Sequence, residues 1–314
     1  LSAGGIAITD DNVKFVQFNR GLFGDRLKLA HYQNFALPEG TVQSGYINDT
    51  GKLSSVLSDI RDKYGVRYAR ATLPEERAYL FSANIDKVPK EGLRDAIAFI
   101  VEENVPVTLA NSVFDFDVAE DLPESKQIKV TVSVLSRKVV DFYIQVFESA
   151  GITPVSFDIE SQAIARAIIP KSEKLVALVA NFTAKKTGFY IVEDGVVQFT
   201  STLPYGLSDR ASHPRLNDLK TEMRKIFAFW DSRSLKPRFP ERKIEKIILC
   251  GPGAVDDAFI AKFMDDCPVA YGWADISGNA EIDERTLPKE VSQDLLDYLP
   301  AIGLALPQIE KTHA

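Results

Sequence analysis

Two polar turns, opened by Thr9 and Thr183 and so 174 residues apart, are the places where this sequence could hold a ligand. The first runs Thr9-Asp10-Asp11-Asn12 and the second Thr183-Ala184-Lys185-Lys186. Asp10 and Asp11 are adjacent carboxylates that could take a metal ion, but Asp and Asn are also good turn formers, and turn chemistry is the better reading. Lys185 and Lys186 could meet a phosphate; a solvated turn is the plainer reading. Gly251-Pro252-Gly253-Ala254 follows a buried apolar run and opens a helical pattern, a turn small enough for a ligand to lie against. Glu160 falls in the first turn of a predicted helix, where a carboxylate is favourable whether or not it does chemistry. His31, His213 and His313 lie far apart without Asp or Cys partners, and Cys250 and Cys267 fit no metal spacing. Neither a nucleophile elbow nor a P-loop is present.

Each polar turn has the same setting. A strand enters it, a strand leaves it, and a third strand ends in Leu-Pro-x-Gly: Leu37-Pro38-Glu39-Gly40 in the first copy, Leu203-Pro204-Tyr205-Gly206 in the second. The repeat predicts two like halves facing each other across a cleft. In the first half, strands over 5–36 with a turn at Gly21–Gly24 precede an amphipathic helix on Leu53, Val56, Leu57, Ile60 and Tyr64, then a strand at Arg67–Thr72. Residues 76–150 interrupt the repeat. They read as strand (Ala78–Ile85), helix (Pro89–Asn104), strand (Val113–Val118), a charged loop (Ala119–Lys129), strand (Ile128–Leu135) and helix (Arg137–Ala150), with Ser136 as N-cap and Gly151 at C′. The predicted domains are therefore 1–75 with 151–170, an inserted α/β subdomain at 76–150, and 171–314. The last of these reads as strands at Leu175–Asn181, Thr187–Val192 and Val196–Thr202, with a tight Asp194-Gly195 turn. A helix over Asp218–Trp230, a loop at Ser232–Arg242, a strand at Lys246–Cys250, and helices at Val255–Cys267 and Ser292–Leu306 complete it.

The chain has 314 residues, 45% apolar and 26% charged, ordinary for a globular protein of two lobes. A net charge of −7 argues against nonspecific nucleic-acid binding. No apolar run is long enough for a membrane helix, no signal peptide opens the sequence, and two cysteines suit a reducing compartment. A soluble cytoplasmic protein is expected.

Two β-β-β-α-β lobes with a glycine-rich turn in the second resemble the actin-like ATPase superfamily. The expected fold class is α/β, actin-like (ribonuclease H-like duplicated lobes), with a small α/β subdomain inserted in the first lobe. Gly45-Tyr46-Ile47-Asn48-Asp49 after Leu37–Gly40, Ala150-Gly151-Ile152-Thr153-Pro154-Val155, Phe157-Asp158-Ile159-Glu160 and Lys243–Gly251 are similar to passages of the type IV pilus assembly protein PilM family, itself close to the cell-division protein FtsA.

The resemblance implies a nucleotide site and also its decay. In active members an Asp on the first strand of each hairpin holds Mg²⁺ through water, and a Gly in the turn admits the phosphates. Here the Asp positions are Ala7 and Asn181, and the Gly positions are Thr9 and Thr183. The implied nucleotide contacts are Thr9, Asp10, Asp11 and Asn12; Asn181, Thr183, Ala184 and Lys185; and Gly251, Pro252, Gly253 and Ala254 at the adenosine turn. Arg224 or Lys225 would flank the base, and Glu160 would orient water. ATP is the implied cofactor, and the loss of both acids counts against Mg²⁺. The implied function is a cytoplasmic assembly protein of a type IV pilus or type II secretion platform, peripheral at the inner membrane. It would bind the cytoplasmic N-terminal segment of a PilN-like membrane protein at the surface of Pro89–Pro106 and Ala78–Ile85. Other platform proteins are implied partners too, and self-association stays open. An active ATPase or small-molecule kinase is the alternative.

Overall fold

The structure, a computed structural model, describes residues 3–20, 26–120, 126–170, 173–207, 215–233, 242–276, 282–287 and 295–307. Contacts divide the chain into two units: Leu1–Pro170 with Ile276–Pro288 and Tyr298–Ala314, and Lys171–Asp275 with Lys289–Asp297.

The first unit opens with β1 (Gly4–Ile8), β2 (Asn12–Arg20) and β3 (Leu27–Ala36), followed by a small ribbon of β4 (Val42–Gln43) and β5 (Tyr46–Ile47). Helix α1 (Thr50–Tyr64) starts at Asp49, whose carboxylate accepts from the Lys52 amide, and stops at Gly65 with φ 68°. It buries Leu53, Leu57 and Ile60 against Ile6, Val13 and Phe15. Strand β6 (Tyr68–Leu73) leads to the insert: β7 (Tyr79–Asp86), α2 (Lys90–Asn104), β8 (Ser112–Glu120) and β9 (Gln127–Ser136). Then come α3 (Arg137–Ser149), β10 (Thr153–Ile159) and α4 (Glu160–Ile168). The main sheet has the order β10-β6-β1-β2-β3, parallel from β10 to β1 and antiparallel beyond.

The insert is a three-stranded antiparallel sheet, β7-β9-β8, with a core of its own. Ile128, Val130, Val132 and Val134 of β9 pack with Leu93, Ile97 and Val101 of α2. The other face of β9 carries Lys129, Thr131 and Ser133, and Gln162 of α4 donates to the Ser133 hydroxyl at 3.1 Å. The insert's sheet therefore stands between α2 and α4. Pro89 precedes the first helical residue of α2 instead of occupying its first turn, and Ser136 flanks α3 without a side-chain cap. Helix α3, expected to belong with the insert, touches both it and α1. Val140 and Tyr143 cluster with Leu135 of β9, and Arg137 donates to the Ser112 carbonyl. Val146 and Phe147 join the first core, Ser149 donates to Ser54 at 2.9 Å, and Arg61 donates to the Ala150 carbonyl at 2.6 Å.

The second unit repeats the strand order. Its sheet is β13-β12-β11-β14-β15, from β11 (Val176–Phe182), β12 (Thr187–Glu193), β13 (Val196–Leu203), β14 (Lys246–Cys250) and β15 (Tyr271–Trp273). Every residue of β11 is buried. Asp194 and Gly195 have φ of 52° and 84°, as the tight turn requires. Helix α5 (Leu216–Arg233) buries Leu219, Met223, Ile226 and Trp230. Helix α6 (Asp257–Met264) starts later than expected, because a 3₁₀ turn over Pro252–Val255 intervenes and Asp256 caps the helix by accepting from the Phe259 amide at 3.0 Å.

The C-terminal helix departs most from expectation. It is a 3₁₀ turn (Leu295–Asp297) and then α7 (Leu299–Ala305), broken apart because Pro300 is tolerated only in a first turn. Helix α7 belongs to the first unit, not to the second lobe, and all seven of its residues are buried. A Cβ on Gly5 would stand 2.0 Å from the Ala301 carbonyl oxygen, and one on Gly303 1.8 Å from that of Ala163. Arg70 donates to the carbonyls of Leu304 and Leu306, and Arg166 to that of Gly303, so two guanidiniums finish the helix. Burial, joined by the positive charge of Arg166, lowers the Arg70 pKa. Among the described residues, no helix is long and apolar enough to cross a membrane. The Gly21–Gly24 turn, residues 121–125 of the charged loop, most of Ser232–Arg242, the start of the last predicted helix, and His213 and His313 lie outside the described residues.

Candidate functional site

Parallel pairing decides which chemistry-bearing residues share an edge. In the first unit β1, β6 and β10 run the same way, so their C-terminal ends carry Thr9, Leu73–Glu75 and Glu160 along one edge of the sheet. In the second, β11 and β14 bring Asn181–Lys185 beside Gly251–Ala254. Such edges are where open α/β sheets bind ligands.

The two turns are built alike, and the threonines close them. The Thr9 amide donates to the Asn12 carbonyl at 2.9 Å, and its hydroxyl accepts from the amides of Asn12 at 3.1 Å and Asp11 at 3.4 Å. In the second copy the Thr183 amide donates to the Lys186 carbonyl at 3.0 Å, and the Thr183 hydroxyl accepts from the Lys186 amide at 3.1 Å. Each Thr hydroxyl also donates back, to the Asn12 carbonyl at 3.2 Å and the Lys186 carbonyl at 2.7 Å. Read from sequence, Thr is only a steric obstacle at these positions. In the structure its hydroxyl takes up amides that a phosphate would need. The Leu-Pro passages then dock on the turns: Leu37 donates to the Asp11 carbonyl at 2.8 Å and Leu207 to that of Thr183 at 2.9 Å. Gly206 lies so close to Thr183 and Ala184 that a Cβ there would fall 2.2 Å from the Thr183 carbonyl oxygen.

Asp10 is occupied too. Its carboxylate accepts from the amides of Ser44 at 2.8 Å and Gly45 at 3.3 Å, both in the left-handed region at the tip of the β4–β5 ribbon. Arg77 donates to the Ser44 carbonyl at 2.9 Å and stacks 3.7 Å from the centre of the Tyr46 ring, while Tyr143 donates to the Gly45 carbonyl at 3.3 Å. A charge-assisted pair of backbone contacts is a structural duty, and it supports the turn reading of Asp10 over metal binding.

At the glycine turn after β14, Gly251 has φ 82°, and a Cβ there would meet Asn181 Oδ1 and the Phe182 carbonyl oxygen, each at 2.5 Å. Gly253 is held as tightly, by Leu207 and Phe182. The Trp273 indole donates to the Ala254 carbonyl at 2.9 Å and fixes the end of the turn. Lys225 on α5 pairs with Glu222 at 3.4 Å. Glu160 is buried at the start of α4, and the residue after it reveals a group that sequence reasoning missed: buried Glu75 accepts from the Ser161 amide at 2.9 Å and hydroxyl at 3.0 Å. Lys14, directly opposite Ala7 in the β1–β2 ladder, was missed as well and is buried. Its only sequence signal is a lone charge in the apolar run Val13–Val16.

A metal-bound triphosphate would need acids at the ends of β1 and β11 and open amides in both turns. Ala7 offers a buried methyl, Asn181 an uncharged amide packed on Gly251, and the Thr hydroxyls take the amides of Asp11, Asn12 and Lys186. Among the described residues no group of three or more His, Cys, Asp or Glu is placed to hold a metal ion. The residues present do not fit a magnesium-bound triphosphate.

Compared with known proteins, the sequence matches the family described as type IV pilus assembly protein PilM over residues 5–222. No curated protein matches the sequence. Among solved structures the chain is similar to one from a PilM-PilN type IV pilus biogenesis complex, with 19% identity over 97% of this chain and 98% of that one, and a TM-score of 0.81. It is also similar to ethanolamine utilization protein EutJ from Carboxydothermus hydrogenoformans, with 10% identity over 96% and 88% of the two chains and a TM-score of 0.54. These likenesses show the fold, an actin-like one with the duplicated sheets described above. With the family matched across well over half its length, the chain belongs to the type IV pilus assembly protein PilM family.

Proposed function

We propose that this chain is a non-hydrolysing assembly component of a type IV pilus or type II secretion platform, which docks the cytoplasmic N-terminal segment of a PilN-like membrane protein. Such a protein would sit in the cytoplasm, peripheral at the inner membrane through its partner. The observation that carries the reading is an edge of the insert's three-stranded sheet. Strand β7 is an edge strand, so it can accept an extended segment by backbone pairing. Tyr79 on it is 42% exposed, and Tyr46, held by Arg77, is 51% exposed. Aromatic anchors beside an edge strand suit a short apolar peptide. Of the surface expected around Pro89–Pro106, only the part beside β7 suits this role, because the insert's sheet stands between α2 and α4. A synthetic N-terminal segment of a PilN-like protein, titrated against the full chain, should bind and lose about tenfold in affinity in Tyr79→Ala or Tyr46→Ala. Equal binding by both variants would overturn this placement.

Nucleotide binding, in this reading, is weak or regulatory. The small residues of the adenosine turn support a nucleoside contact, and millimolar cellular ATP can populate a weak site. The purified protein is expected to show no Mg²⁺-dependent ATP turnover, and any thermal shift with ATP should be the same with and without Mg²⁺. Turnover that depends on Mg²⁺ and is lost in Glu160→Ala would sink the non-hydrolysing reading and favour an active ATPase.

A further inference from the structure

The outward side of α2 is built against the preferences of its own helix. Phe99 is 67% exposed, more than any other large hydrophobic side chain among the described residues. Around it on the helix surface, at the spacings that place side chains together, stand Asp95 (i−4), Glu102 (i+3) and Glu103 (i+4), all exposed. None of these carboxylates has an ion-pair partner among the described residues. Glu102 and Glu103 occupy the last turn, which contains no base, so they face the negative end of the helix dipole. Neither burial nor capping nor pairing accounts for them, and such local conflicts mark functional surfaces. The charge is regional as well. Between Tyr79 and Ser136 the sequence has ten acids and five bases, −5 of the chain's −7.

We propose that the outer face of α2 is a second docking surface, for a Lys/Arg-rich, amphipathic segment of a protein partner. This rests on the reading of the chain as an assembly component and goes beyond its β7 site. The complementarity is specific in kind. A guanidinium can stack on the Phe99 ring while its neighbours bridge Asp95, Glu102 and Glu103, and the arriving cations relieve both the mutual repulsion and the dipole conflict at the helix end. The same charge repels anionic lipid headgroups and nucleic-acid phosphates, so the occupant is a polypeptide.

The test titrates the full chain with a fluorescent amphipathic helical peptide of arginine and leucine, and with its counterpart carrying glutamate for arginine. The basic peptide should bind with an affinity that falls steeply with salt, and the acidic one should not bind. Phe99→Ala should weaken binding about tenfold, and Glu102→Lys with Glu103→Lys should abolish it. These positions are exposed, so the variants should keep wild-type circular dichroism. They should also bind the PilN-like segment as wild type does, while Tyr79→Ala should leave the basic peptide unaffected; the two sites thus fail or stand separately. No binding of the basic peptide, equal binding of the acidic one, indifference to the Phe99 and Glu102/Glu103 substitutions, or binding of the chain to phosphatidylglycerol vesicles through α2 overturns the proposal.

Discussion

Gly303→Val is expected to destabilise the first unit by about 3 kcal/mol or more. The reason is the nature of what a Cβ at position 303 would strike. Ala163 O, C and Cα lie 1.8, 2.6 and 3.2 Å from that point, all backbone atoms of the neighbouring helix. No rotamer change relieves such an overlap; α7 or α4 must move. Helix α7 is wedged on its other side against Gly5 of β1 and is pinned by Arg70 and Arg166, so it has nowhere to move. Gly92→Ala in α2 is the control. Nothing lies within 4 Å of its Cβ position, and the change should stabilise α2 by about 0.5–1 kcal/mol. Urea denaturation followed by circular dichroism measures both. An unchanged midpoint for Gly303→Val would mean that α7 does not pack as described.

Glu75→Ala should cost about 2–4 kcal/mol. It removes the acceptor for two buried donors at once, the Ser161 amide and hydroxyl, and each buried donor left without a partner costs about 1–3 kcal/mol. Its carboxylate also lies at the positive end of α4, where a negative charge is favourable. Glu75→Gln keeps an acceptor oxygen and should lose about half as much. The decisive comparison is a double-mutant cycle: in a Ser161→Ala background the cost of Glu75→Ala should shrink markedly, whereas full additivity would show that the pair does not act as a unit.

These two residues also mark where the sequence stops being legible. The strands around Thr9 and Thr183, the insert's β-α-β-β pattern and the Asp194-Gly195 turn could be read because alternation, helical spacing and glycine placement are local signals. Glu75, one of two adjacent acids after a proline, reads as a solvated loop residue; only the meeting of β6 with α4, 86 positions further along at Ser161, buries it. The allegiance of α3 escaped for a related reason. Its stripe of Val140, Tyr143, Val146 and Phe147 announces burial but not against what, and the answer is shared between α1 with the main sheet and the insert's own strands. Helix α7 escaped because an apolar helix at the end of a lobe's sequence carries no mark of the unit it joins. At the candidate site the uncharged Ala7 and Asn181 stand plainly in the sequence, but the hydroxyl closure of both turns exists only where the folded chain brings Thr9 to Asn12 and Thr183 to Lys186.

The return of α7 has a consequence for biosynthesis. The sheet of the first unit is complete by Ile159, yet the helix that covers Gly5 begins only at Leu299. At bacterial elongation rates of about 5–20 residues per second, that cover arrives on the order of ten seconds after the strands it seals. Through that interval the face of β1 that will receive α7 is without its cover, while β11–β15 of the second unit are already synthesised. The unit whose strands are made first is closed only by the last helix of the chain.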